Sequence, residues 1–183
     1  MGTSIDLVNN KISTFSYISH ELIRWYSEKN IPERNDLSKL KSIKLLFFIC
    51  ACSINESKQS SLFDVFNEFH AMPYGPVETD IYNAINNNNL SSIKIDTGKT
   101  TIQGSSPILP DKIKSDIDDA LLRLKNINYD MVFMRAFDLV EISHRWISWQ
   151  IAFQTAKNKN GLKEKMDVSL IKKDRQLFHL RPF

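Results

Sequence analysis

The side chains best suited to proton transfer or metal ligation are four histidines, His20, His70, His144 and His179, spread along the chain. None belongs to an H-x-x-x-H or H-E-x-x-H pair, the spacing that aims two imidazoles from one helix face at a metal. His20-Glu21 would need a second histidine at position 24, which is Arg24. Ser143 directly precedes His144, but sequence neighbours do not make a nucleophile–base geometry, and no G-x-S-x-G occurs. Gly98-Lys99-Thr100 resembles the end of a phosphate-binding loop. That loop needs a glycine five residues before its Gly-Lys pair, and Ile93 stands there. Cys50 and Cys52 lie two apart in a helical pattern, so their side chains diverge and read as buried thiols. Asp118 and Asp119 stand toward the start of a helix, where carboxylates suit the macrodipole. The residues therefore predict no catalytic set, no metal site and no cofactor, and the chain is expected not to be an enzyme. The one enzymatic alternative places a pocket near His70 and Tyr74, joining His70 or His144 to a carboxylate.

The elements that would position these side chains are mostly helical. Asn10 to Lys29 carries Ile12, Phe15, Ile18, Leu22 and Tyr26 on one face, and Asn30-Ile31-Pro32 ends that helix. A second helix starts near Leu37, and its later turns, through Leu45, Leu46, Phe47, Phe48 and Ile49, are apolar all round, which predicts the centre of the core. Leu62, Val65, Phe66 and Phe69 have the spacing of a third helix. Tyr74-Gly75-Pro76-Val77 reads as a corner where one helix stops and another starts, with Val77, Ile81, Tyr82 and Ile85 on the new apolar face. Asn86 to Asn89 turns the chain, and Ile93 to Gln103 alternates as a small hairpin. Further helices are predicted over Asp111–Lys125 (Ile113, Ile117, Leu121 and Leu124 inward) and about Asp130–His144 (Met134, Phe137, Val140 and Glu141). Trp146–Ala156 continues the latter or forms a helix of its own, and Asp167–Leu180 is the last, with Val168, Ile171 and Leu177 inward. Asn158 to Lys165 reads as an exposed loop. The expected fold is mainly α with a small β-hairpin: a compact single-domain bundle of about six to eight helices.

The 183 residues are 42% apolar, enough for one sizeable core, and the formal net charge of +3 is mildly basic. The basic clusters Lys39–Lys44 and Lys157–Lys165 are broken by other residues and read as solvated helix faces and a charged linker. The fifth helix balances Lys112, Lys114, Arg123 and Lys125 against four aspartates, which argues against DNA reading. The N-terminal residues lack the pattern of a signal peptide, and the longest apolar run, Leu45–Cys52, is far short of a membrane span. A soluble, cytoplasmic protein with no membrane partner is expected. Eleven Phe, five Tyr and three Trp exceed the needs of this core. Trp25, Trp146 and Trp149 do not all fit inward on one face, so one of them is expected at a partner surface.

Lys41-Ser42-Ile43-Lys44-Leu45-Leu46-Phe47-Phe48 resembles the K-L-Q-K-L-L-Y-F helix that opens the Panacea domain of the SocA-like antitoxin family. Leu62-Phe63 and Phe66 to Phe69 then lead to Ala71-Met72-Pro73-Tyr74-Gly75-Pro76-Val77, similar to the family's F-x-A-W-x-Y-G-P-V, and Ile81-Tyr82 fits its following V-Y. Leu139 to His144 and Trp149 resemble its L-x-x-x-(S/T)-H followed by tryptophan. Met72 stands where the family usually has Trp, and Ser42-Ile43 replace Leu-Gln. The resemblance runs over roughly residues 37 to 180. It implies residues 1–35 as an N-terminal helical extension and 36–183 as the Panacea-like domain, packed as one globular unit. It also implies a bacterial or phage-encoded protein that binds and neutralises a toxin, with no catalytic residues to carry over. The motif residues Lys44, Leu45, Leu46, Phe47, Phe48, Tyr74, Gly75, Pro76, Val77, Tyr82, His144 and Trp149 are expected to be mainly structural. Met72, Tyr74 and Trp146 are the expected contacts to a protein partner. The alternative is a nucleic-acid-associated regulator, or a mobile-element protein without antitoxin activity.

Overall fold

The computed structural model describes residues 4–54 and 61–174. The described fold is mainly α with two small antiparallel sheets. Helix α1 (Ser4–Ser27) starts earlier than its apolar stripe predicts and buries Phe15, Ile18, Leu22 and Trp25. After a 3-10 turn at Pro32–Arg34, Ser38 caps α2 (Lys39–Cys52) by accepting from the Lys41 N–H. Every residue of α2 from Lys41 to Cys52 is buried, as an all-apolar helix in the core requires. It packs against α4 (Asp111–Ile127), α5 (Ala136–Ser143) and the strand β2 (Gly75–Glu78). One expectation fails here. Lys41 and Lys44 do not lie on a solvated face, because the other elements enclose α2 on all sides. Lys41 reaches the rim to meet Asp36 at 2.5 Å, whereas Lys44 stays inside.

The helix expected over Leu62–Phe69 is absent. Only Leu62–Asp64 makes a 3-10 turn, closed by a capping box in which the Asp64 carboxylate accepts from the Ser61 N–H at 2.9 Å. The chain then extends into β1 (Phe69–Met72), where Phe69 and Ala71 are buried and His70 and Met72 are half-buried. The i, i+3, i+4, i+7 spacing is shared out between a turn and a strand of period two, so a helical pattern this short misleads. Similarly, Tyr74-Gly75-Pro76 is not a helix–helix corner. It is a β-hairpin in which β1 pairs with β2 through Met72↔Gly75 and Ala71↔Pro76, leaving Pro73-Tyr74 as a two-residue loop. The Thr79 N–H to Glu68 carbonyl bond (3.0 Å) sets the alternation of the ladder, so Pro76 faces away from β1 and its missing N–H costs no ladder bond. Helix α3 (Thr79–Asn86) starts only at Thr79, capped by the Glu78 carboxylate on the Ile81 N–H at 2.9 Å.

The expected hairpin is present as β3 (Ile93–Ile95) and β4 (Thr100–Ile102). The Asn35 side chain pins it by accepting from the Thr100 N–H (3.1 Å) and donating to the Thr100 carbonyl (2.9 Å). Helix α4 runs as its periodicity predicts. The next predicted helix is broken: a 3-10 turn at Tyr129–Phe133, capped by Asn128, is followed by extended Met134 and Arg135 before α5 begins. Phe137 therefore falls on the first turn of α5 and is exposed. Trp146 has extended geometry and separates α5 from α6 (Ile147–Asn158). The loop after α6 contains β5 (Glu164–Lys165), which pairs with β1 to complete the sheet order β2-β1-β5. Helix α7 (Val168–Lys173) buries Ile171; the predicted continuation through Leu177 lies outside the described residues. No helix among the described residues is long and apolar enough to cross a membrane.

Candidate functional site

The motif residues converge on the Pro73-Tyr74 turn. Position 44 on α2 faces the gap between β2 and α5, and Lys44 Nζ donates to the Pro76 carbonyl at 2.5 Å. That carbonyl points off the edge of β2, so the amine occupies the place a further strand would take. Lys44 is 0% exposed and meets no carboxylate among the described residues; burial pushes its pKa down to about 7. At the end of α5, the His144 ring sits beside the Pro73 backbone, with its Nε2 buried and without a hydrogen-bond partner among the described residues. Burial holds its pKa below the usual imidazole range, and nearby Lys44 adds to the effect against the opposing pull of Glu141 and of the Pro73 backbone. From α6, Trp149 Nε1 donates to the Met72 carbonyl at 3.1 Å. Two motif side chains, Lys44 and Trp149, thus each hold one backbone carbonyl of the hairpin, and His144 packs beside them.

Packing tightens this clamp. His144 stacks on Trp149 (centroids 4.0 Å, planes 13° apart), Trp149 on Phe153 (5.0 Å, 17°), and Lys157 Nζ lies 4.8 Å above the Phe153 ring. Trp149, Phe153 and Lys157 share a face of α6 because they are four residues apart. Gly75 has φ +89°, and a Cβ there would stand 2.3 Å from Ser143 Oγ and 3.1 Å from Lys44 Nζ. Glycine is required both by the backbone conformation and by the close approach. Ser143 Oγ donates to the Val140 carbonyl at 2.8 Å. Leu45 to Phe48 and Val77 are core, and Tyr82 is half-buried with Lys39 Nζ 4.9 Å above its ring.

The three residues expected to contact a partner separate. Tyr74 is 59% exposed at the hairpin tip, its ring edge-on to Phe137 (6.1 Å, 78°), which is itself 63% exposed. Met72 is half-buried and packs against the core. Trp146 is 0% exposed, wedged against Phe47 (5.3 Å) and Phe48 (5.5 Å), so it is not a surface anchor. Trp25 and Trp149 are buried too. All three tryptophans fit inside because they serve different faces of the core, on α1, before α6 and within α6. Sequence reasoning set Phe137 on a helix with Met134, Val140 and Glu141 and did not single it out as a surface contact, because the break before α5 was not visible.

The remaining chemistry-bearing groups are placed as follows. His70 Nδ1 lies 3.0 Å from the Glu68 carbonyl and 3.4 Å from Thr79 Oγ1, and His20 Nε2 lies 3.3 Å from Ser92 Oγ. Cys50 and Cys52 are buried free thiols, with burial raising Cys50 well above the ordinary range and Cys52 to about 12. Glu78 is wholly buried, accepting from Lys11 Nζ (3.0 Å) and from the Glu68 (3.2 Å) and Ile81 N–H groups, while Lys11 also pairs with Asp80. Among the described residues, no three His, Cys, Asp or Glu side chains converge as a metal would need.

What the arrangement does chemically is therefore plain. Lys44 and Trp149 each donate to a backbone carbonyl, His144 is packed against Trp149, and Pro73 and Tyr74 are exposed at the tip of the hairpin. No curated protein and no solved structure matches this chain significantly. The family model described as antitoxin SocA-like, Panacea domain, matches residues 43–150, more than half of the chain and the span holding Lys44, the hairpin turn, His144 and Trp149. The chain belongs to the SocA-like antitoxin family that carries the Panacea domain.

Proposed function

We propose that this protein is an antitoxin-like interaction domain that neutralises a cognate toxin by direct binding, without catalysing a reaction. Family membership supports the protein partner. The observation that carries the binding reading is the use the motif makes of its polar side chains: Lys44 and Trp149 fix the backbone of one turn, and His144 stacks on Trp149. A reactive centre would leave such groups facing a substrate. Here Lys44 and Ser143 are fully buried beneath the hairpin, so a solute would reach them only if the hairpin lifted. Rigidly held turns suit recognition, because ordering costs already met in the free protein are not met again on binding.

Co-expression with the product of the neighbouring gene tests this. That product is expected to arrest growth alone, to lose its toxicity when this chain is present, and to co-purify with it. Toxicity that persists beside a soluble, folded copy of this chain would reject the reading.

A further inference from the structure

The family model identifies no contact surface. We propose that the docking site is the exposed aromatic pair of Tyr74 and Phe137, and that it fits an uncharged, apolar pocket on the protein toxin, with one polar group at the pocket floor. This rests on the antitoxin reading above and goes further by naming the surface and the chemistry of its occupant.

Two large aromatic side chains, 59% and 63% exposed, are in contact on different elements, one at a hairpin tip and one on the first turn of a helix. Exposed aromatic rings have little to gain from water, and Tyr is among the residues that dominate interface energies because it offers a large area on only two rotatable bonds. The backbone beneath Tyr74 is fixed by bonds to the carbonyls of Met72 and Pro76, so the ring is presented in one place before a partner arrives. The Tyr74 phenol hydroxyl makes no hydrogen bond among the described residues, which leaves it to pair with a polar group at the base of the receiving pocket.

The charges around the pair select the class of occupant. Arg135, the nearest cation in sequence to Phe137, is committed to Asp138 through a two-point fork of 2.9 and 3.0 Å, which neutralises both. One turn further along α5, Glu141 is exposed and negative. A nucleic-acid backbone or an anionic lipid surface would meet, along this face of α5, a cation already paired and a repelling carboxylate, whereas phosphate binding needs a basic face. A pocket on a protein, apolar and without net charge, is complementary to an aromatic pair whose rim is neutral to acidic.

The test uses the full chain with the product of the neighbouring gene, measured by growth rescue and by calorimetric titration of the purified pair. Tyr74→Ala is expected to weaken binding by about 30-fold or more, as truncating an interface anchor does. Phe137→Ala should weaken it less, and Tyr74→Phe only slightly, through the lost hydroxyl. Ile108→Ala, which alters an exposed apolar side chain on the loop before α4, should bind as the unaltered chain does. Melting curves of all four should match that of the unaltered chain, since these side chains are exposed. If rescue and affinity survive Tyr74→Ala and Phe137→Ala together, the docking site lies elsewhere, while the antitoxin reading stands. If the unaltered chain neither binds nor neutralises the toxin, that reading fails and takes this one with it. If instead the chain binds DNA in a salt-dependent way that Tyr74→Ala abolishes, the pair serves a different class of partner and the proposal is overturned.

Discussion

Lys44 carries a buried amine with one carbonyl partner and a pKa pushed down to about 7. In the unfolded chain it returns to the ordinary value near 10.5. Between those values the unfolded state binds a proton that the folded state does not, so stability rises with pH across this window and is lowest below it. At about 1.4 kcal/mol per unit, the span amounts to roughly 5 kcal/mol, undiminished by solvent because the group is wholly enclosed. Lys44→Met is expected to remove that rise: the difference in unfolding free energy between variant and parent, followed by denaturant titration from pH 6 to pH 10, should shift steadily against the variant. A difference that is flat with pH would contradict a neutral amine beneath the hairpin. Trp149→Phe keeps the stack on His144 but drops the bond to the Met72 carbonyl. It should cost about 1 kcal/mol of stability, read as a lower denaturant midpoint with unchanged slope.

The hairpin of β1 and β2 depends on Gly75 for two separate reasons, and they can be divided. Gly75→Ala should destabilise by about 2–4 kcal/mol, because it combines a left-handed backbone with a Cβ 2.3 Å from Ser143 Oγ. Adding Ser143→Gly removes the closest clash and leaves the backbone strain together with the 3.1 Å approach to Lys44 Nζ. The double variant should then recover part, but not all, of the loss, as a double-mutant cycle in thermal melts would show. Full recovery would mean that neither φ at position 75 nor the approach to Lys44 costs anything. Much of the element plan was legible from the chain. Helices α1, α2 and α4 were readable because long apolar periodicity outweighs local ambiguity, and the hairpin of β3 and β4 because Thr97-Gly98 separates alternating runs. The 62–72 segment was misread because four apolar residues at helical spacing also satisfy a turn followed by a strand. The choice was made by pairing with β2 and β5, which lie far away in sequence.

Across the whole molecule, α1 lies outside the span of the family match yet shares the core with it through Phe15, Ile18, Leu22 and Trp25. It is also tied to the hairpin and α3 by Lys11, which meets Glu78 and Asp80. Burial pulls the Lys11 pKa down, but the two carboxylates outweigh it and the net shift is upward. Lys11→Met would leave the Glu78 carboxylate buried without its cation, at an expected cost of about 3–5 kcal/mol, and a further Glu78→Gln should return part of it. Deleting residues 1–35 should leave a chain with no cooperative thermal transition, since the face that α1 covers would open to water. A sharp transition in that fragment would show that the extension is dispensable.

The sequence by itself determined the mainly helical class, the buried course of α2, the lack of a recognisable catalytic motif and the family, because each rests on local pattern or on residue order. The roles of the motif residues were decided only in three dimensions. Lys44 is a lysine in a sequence and a desolvated hairpin clamp in the fold, because α4, α5 and β2 close around it. Trp146 looks like an anchor and is core, because Phe47 and Phe48 face it from another helix. Tyr74 and Phe137 are 63 positions apart in the chain, and only the turn held by Lys44 and Trp149 brings their rings together at the surface.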